Sequence, residues 1–268
     1  MSKGVVAIVG CGLGLGGAVA TKFAKEGYSI AAMARSQESL DAVKEMLAAV
    51  SKAKHGFYQM DATKKEDVDA SFAKVVAELG TVTVLVYNIS DSPKGLQRTV
   101  LEIDPAEYTR SFNVNALGAL MCTQAVLPNM LASEGVVLTP HSKGVAKKGT
   151  ILYTSASAAF RSTAKTAQVA AGKMALRGLS QAVAKEYGKQ GVHAVHLRMD
   201  CTYESPRNKA MFESGGEQMG AYFNKMAAEN KLASIEELAE TYFAMHMQSP
   251  MAWTNELDLR PYQEDWTY

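Results

Sequence analysis

The stretch Val9-Gly10-Cys11-Gly12-Leu13-Gly14-Leu15-Gly16 constrains this chain more than any other. It follows the apolar run Val5-Val6-Ala7-Ile8-Val9 and leads into an amphipathic segment over 18–24. That order reads strand, glycine-rich turn, helix. Such a turn needs glycine for three reasons. One position reverses the backbone at positive φ. One lets the main chain approach a pyrophosphate that a Cβ would block, and one lets the helix pack close to the strand. The helix N-terminus then offers free N–H groups and partial positive charge to the phosphate. Gly10, Gly12, Leu13, Gly14, Leu15 and Gly16 are the candidate phosphate-binding residues.

The rest of the chain is compatible with one α/β domain. Its 268 residues are ample for such a fold. A net charge of +1 points away from a nucleic-acid or membrane surface. The apolar runs read as too short to cross a bilayer. The first strand begins close to Met1, which leaves no room for a signal peptide. Three scattered cysteines show neither metal spacing nor a disulfide framework, which suits a reducing, cytoplasmic compartment.

A second strand is expected over 28–34, ending at Arg35. In a dinucleotide fold this strand end meets the adenosine ribose. An acid there suits the free 2′-OH of NAD, and an arginine suits the 2′-phosphate of NADP. Arg35 therefore favours NADP(H) over NAD(H). Helices over 39–50 and 67–79 bracket a short strand at 57–60, and a β-branched strand follows at 81–86. Further strands are expected over 150–154, 192–197 and 253–261, with a capping box at Ser234 opening a last helix.

Gly10, Gly14 and Gly16 fit G-x-x-x-G-x-G, and the chain resembles the short-chain dehydrogenase/reductase family. The resemblance implies a single doubly wound Rossmann-type α/β domain over 1–268, with a seven-stranded parallel sheet and helices on both faces. It implies an NAD(P)(H)-dependent oxidoreductase acting on a small carbonyl or alcohol. Asp61, with Ala62 beside it, matches the family's adenine contact. Asn88 matches one residue of the usual Asn-Asn-Ala-Gly, and Ile89-Ser90 replace its small pair. Asn115, in Asn113-Val114-Asn115-Ala116-Leu117-Gly118, matches the Asn whose helix bends around a water linked to the catalytic Lys.

That lysine is Lys173, which the resemblance also assigns to the cofactor ribose. The family's catalytic Ser and Tyr fall on Ala156 and Val169, and valine can neither give nor take a proton. Ser155, Ser157, His196 or a water on Lys173 are the candidate replacements. His196 and Asp200 are expected near the mouth of the site. A catalytically inactive dinucleotide-binding sensor or subunit is the alternative. Residues 135–149 read as an inserted, solvated basic loop, and 202–230 as the substrate lid. A homodimer or homotetramer is expected through the helices of Asn115 and Lys173, by outer faces carrying Leu117, Leu120, Met121, Met174 and Leu176. The tail Trp253-Thr254-Asn255-Glu256-Leu257-Asp258-Leu259-Arg260-Pro261 resembles that of a branch lacking the Tyr.

Overall fold

The central strands are near-continuous apolar runs, as expected of strands buried on both faces. The computed structural model describes residues 3–91 and 98–263. Its strands are β1 (Val5–Val9), β2 (Ser29–Ala34), β3 (Gly56–Gln59), β4 (Val82–Tyr87), β5 (Gly149–Ala156), β6 (Val192–Met199) and β7 (Glu256–Leu259). They form one sheet in the order β3-β2-β1-β4-β5-β6-β7, and every neighbouring pair is parallel. The helices are α1 (Leu15–Lys25), α2 (Gln37–Val50), α3 (Lys65–Leu79), α4 (Pro105–Phe112), α5 (Gly118–Ala132), α6 (Ala167–Tyr187), α7 (Pro206–Ser214), α8 (Glu217–Ala228) and α9 (Ile235–Met247).

Strand side chains alternate between two cores. Val5, Ala7 and Val9 of β1 pack with Phe72 of α3, Val126 of α5 and Leu176 of α6. Val6 and Ile8 pack on the other face with Phe23 of α1, Leu47 of α2 and Tyr242 of α9. Strand order reverses between β1 and β4, so a crevice opens at the carboxyl ends of those two strands.

Residues Asn113–Leu117 form a π-helical turn between α4 and α5. The Asn115 side chain explains it. Its Nδ2 donates to the Ser111 carbonyl at 2.9 Å, taking the acceptor that the backbone of a regular helix would use. Gly118 then closes the wider turn by donating its N–H to Asn113 O.

The continuous helix Pro105–Ala132 is long and apolar enough to cross a bilayer by length and composition, contrary to the reading of the apolar runs. Yet 61% of its apolar window is buried inside the fold. Leu117, Leu120 and Met174 are exposed as expected. Met121 and Leu176 instead point into the core beside β4 and β5. The basic loop is pinned rather than uniformly solvated. Val136 and Lys147 form an antiparallel bridge, and Lys147 is buried with its Nζ on the His246 carbonyl. Ser142 is buried as well, with its hydroxyl 3.1 Å from that of Ser249.

Candidate active site

The glycine turn sits where β1 ends. Gly10 has φ +89°, a conformation open to glycine at no steric cost. A Cβ on Gly16 would stand 2.4 Å from the Gly10 carbonyl, so α1 can start this close to the strand only without a side chain there. No side chain caps the first turn of α1. Its amide groups are left to face whatever occupies the crevice. Asn88, just past β4, braces the turn by donating Nδ2 to the Gly10 carbonyl at 3.1 Å. Its Oδ1 is buried and has no partner among the described residues. Cys11 lies beneath the turn, and burial pushes its thiol up to about 12, so it carries no thiolate.

The cavity at this turn has a volume of about 570 Å³, within the usual range for a ligand pocket. Gly10, Cys11, Gly12, Leu13, Gly14, Leu15 and Gly16 form one wall. Arg35, Ser36 and Ser39 line it where β2 ends, and Arg35 is exposed there. Asn88, Ile89 and Ser90 line it after β4, and Thr154, Ser155 and Ala156 at the end of β5. Among the described residues, no aspartate or glutamate lines it. A glycine cradle, an uncapped helix start and an acid-free wall together suit a dinucleotide.

Lys173 projects from α6 into this pocket, is 2% exposed, and donates Nζ to the carbonyls of Ile89 at 3.3 Å and Thr154 at 3.2 Å. Burial, with help from the positive charge of Arg207, lowers its pKa to about 7. The Ser155 hydroxyl is buried in the same wall and has no partner among the described residues. Val169 stands four residues before Lys173 on α6. Asn115 lies behind Lys173. A Cβ on Gly172 would meet the Asn115 Cβ at 2.9 Å, so the two helices touch at this point. Asn115 Oδ1 is buried without a partner among the described residues.

Five expected site residues are placed elsewhere. His196 is fully buried beside Phe160, with ring centroids 5.9 Å apart, and does not line the pocket. Burial pulls its pKa down to about 4, so it is neutral at pH 7. Asp61 accepts from Thr63 N at 3.0 Å and Thr63 Oγ1 at 2.7 Å, and so shapes the start of α3. Neither it nor the buried Ala62 lines the cavity, which ends at Met60 on that side. Ser157 gives its hydroxyl to Asp200. Asp200 itself does not line the pocket, although Met199 and Cys201 on either side of it do.

Residues 202–230, expected to form a substrate lid, contain α7 and α8. Tyr203, Ser205, Arg207, Asn208, Met211 and Phe212 line the pocket from that side. Arg207 Nη2 donates to the Ser90 carbonyl at 3.3 Å, joining α7 to the segment after β4. Nothing in the sequence singles out Arg207, because an arginine in a charged segment looks like a solvated one.

The sequence pattern that defines short chain dehydrogenases matches residues 4–213. The chain belongs to the short-chain dehydrogenase/reductase family. A short-chain dehydrogenase/reductase of Armillaria gallica is 28% identical over 245 residues, covering 89% of this chain and 87% of that protein. An NADPH-dependent pterin aldehyde reductase of Arabidopsis thaliana is 28% identical over 181 residues, covering 68% of each. L-sorbose reductase of Gluconobacter frateurii, solved with NADPH and L-sorbose, superposes with a TM-score of 0.82 at 21% identity, covering 97% of this chain and 96% of that one. The last comparison bears on the fold alone. This short-chain dehydrogenase/reductase thus has the nucleotide-binding Rossmann architecture of its family's oxidoreductases.

Proposed function

We propose that this chain is an NADP(H)-dependent oxidoreductase that interconverts a small carbonyl compound and its alcohol, with Lys173 as proton donor. The observation that carries this reading is the Lys173 ammonium, buried in the pocket wall on two backbone carbonyls with its pKa lowered to about 7. A bound NADPH would supply a hydride, and with it two electrons, to the carbonyl carbon. The carbonyl oxygen then needs one proton. We read Ala156 and Val169 as standing at the family's Ser and Tyr positions, so neither side chain can give it. Lys173 gives the proton, becomes a neutral amine, and regains a proton from solvent. A donor whose pKa lies near the working pH suits that cycle. The free hydroxyl of Ser155 orients the substrate oxygen by a hydrogen bond.

Arg35 supports NADP(H) over NAD(H). It sits at the strand end that meets the adenosine ribose, with two serines and no acid beside it in the wall. The NADPH-dependence of the Arabidopsis thaliana relative supports the same choice. The test is a titration with NADPH and NADH followed by intrinsic fluorescence, then a rate assay on a carbonyl panel. Preferential NADPH binding lost in Arg35→Ala, with turnover lost in Lys173→Met, is expected. Failure to bind either cofactor overturns the reading. Val169 also favours a second reading, a catalytically inactive dinucleotide-binding sensor or subunit. NADPH binding without turnover on any panel member would select it.

We propose further that the chain forms a homodimer or homotetramer. Tyr108, Phe112, Leu117, Leu120 and Met174 are exposed apolar side chains on α4 to α6. Light scattering after size exclusion tests this, and a monomer would refute it.

A further inference from the structure

Arginines outside the pocket are neutralised. Arg98 pairs with Glu107, Arg110 with Asp91, Arg161 and Arg260 with Asp200, Arg177 with Glu256, and Arg198 with Asp258. Among the described residues no carboxylate lies within ion-pair distance of Arg35 or Arg207, although Asp61 feels the charge of Arg35, and both arginines line the cavity. Arg35 lies at the end of β2, where the cofactor phosphate is expected. Arg207 lies on the lid at the reacting end. It holds the carbonyl of Ser90, while Lys173 holds the carbonyl of the preceding residue, Ile89. Two cations therefore stand on consecutive carbonyls with no acid in the wall around them. Each raises the cost of the other's charge, and Arg207 contributes to holding down the Lys173 pKa. An anion bound between them removes that cost. The cofactor pyrophosphate already has the glycine turn and the start of α1, so it is not the group that Arg207 awaits.

Resting on the oxidoreductase reading above, we infer that the substrate carries an oxyanion, a carboxylate or a phosphate, bound by the Arg207 guanidinium while its carbonyl oxygen faces Lys173. A planar guanidinium binds either group through two parallel N–H···O bonds, which an ammonium does not reproduce. The lid arginine thus selects anionic carbonyl compounds over neutral ones of the same size.

The test uses matched aldehydes. One pair is 4-formylbenzoate and its methyl ester. The other is 4-formylphenyl phosphate and 4-methoxybenzaldehyde. Binding to the NADP⁺-saturated protein is measured by calorimetry, and reduction by NADPH is followed separately. The anionic member of one pair should bind about tenfold more tightly, as expected of a charge-assisted bidentate contact. The pair that responds distinguishes carboxylate from phosphate. Arg207→Gln should abolish the difference and leave the NADPH dissociation constant unchanged, and Arg207→Lys should restore part of it. Equal binding within both pairs, including no binding of any member, overturns the inference. So does an Arg207→Gln protein with weakened NADPH binding, which would assign the arginine to the cofactor. A protein that binds no NADPH refutes the oxidoreductase reading instead. The same calorimetry on the unloaded protein then still decides whether Arg207 selects anions.

Discussion

Asp200, at the end of β6, accepts from both Nε and Nη2 of Arg260, just past β7, with the Nε contact at 2.9 Å. Both side chains are less than 10% exposed. Ser157 and Arg161 also reach Asp200, so the end of β5, the end of β6 and the tail meet on one carboxylate. Burial pushes that carboxyl up, but Ser157 and Arg260 overcome it and hold the pKa below the usual carboxylate value. Removing Arg260 leaves the buried Asp200 carboxylate with only Ser157 and the longer Arg161 contact, so the cost approaches the roughly 3–5 kcal/mol of a broken buried pair. Arg260→Ala should therefore lower the urea midpoint severely. Asp200→Asn should cost less, because Arg260 keeps Asp258 at 3.6 Å. A double-mutant cycle on the pair measures the coupling, and a cycle energy near zero would contradict this assignment.

The fold was legible in the sequence because its signals are local. The Gly10–Gly16 turn, the β-branched run of β4 and the N-cap at Ser234 each follow from neighbouring residues, although only the Ser234 half of the expected capping box forms. The lining of the candidate pocket was legible where it sits on that frame, at the glycine turn, Arg35, Asn88, Ser155 and Lys173. It was illegible where side-chain direction or distant contacts decide. His196 is one residue past Val195 on β6, and the alternation turns it toward Phe160 and away from the pocket. Asp200 and the Leu-Arg-Pro tail both stood out in the sequence, but their pairing spans 60 residues and no local pattern encodes it. Lys147 looked like a surface lysine until the Val136 bridge turned it inward.

The pH dependence of turnover follows from Lys173. In its proposed role of general acid it must be protonated to support reduction, and its pKa is lowered to about 7. Carbonyl reduction at saturating substrate should therefore fall as pH rises through about 7. Alcohol oxidation, which needs the neutral amine, should rise over the same interval. Initial rates in both directions between pH 5.5 and 9 check this. A profile that is flat across neutrality would remove Lys173 as the proton donor.

Replacing Ala156 and Val169 together tests where the reacting oxygen lies. Val169 stands one helical turn before Lys173, and Ala156 lines the pocket at the end of β5. A tyrosine and a serine there would place a hydroxyl proton donor and an orienting hydroxyl at the site. General acid catalysis contributes about 10²–10⁴-fold. The Ala156→Ser, Val169→Tyr double variant should thus raise kcat for carbonyl reduction by about tenfold or more, with NADPH affinity unchanged. A folded, NADPH-binding double variant that gains nothing would mean that the register of α6 against the substrate is misplaced.

His196 carries the last prediction, because its structural and catalytic readings differ in sign. Both ring nitrogens are buried and have no hydrogen-bond partner among the described residues. Burial holds its pKa at about 4, and does the same to His193 at about 4 and His246 at about 3. The folded state thus keeps three imidazoles neutral, whereas the unfolded chain protonates them near pH 6.5. The unfolded state binds more protons in between, so stability is full above about pH 6.5 and is lost as pH falls toward 4. Urea midpoints across pH 7.5 to 4.5 should show that decline. His196→Leu should flatten part of it and raise stability at pH 7 by about 1 kcal/mol, since it removes two unsatisfied buried polar atoms. The same variant should retain carbonyl reduction. Loss of turnover with unchanged stability would instead return His196 to the catalytic machinery.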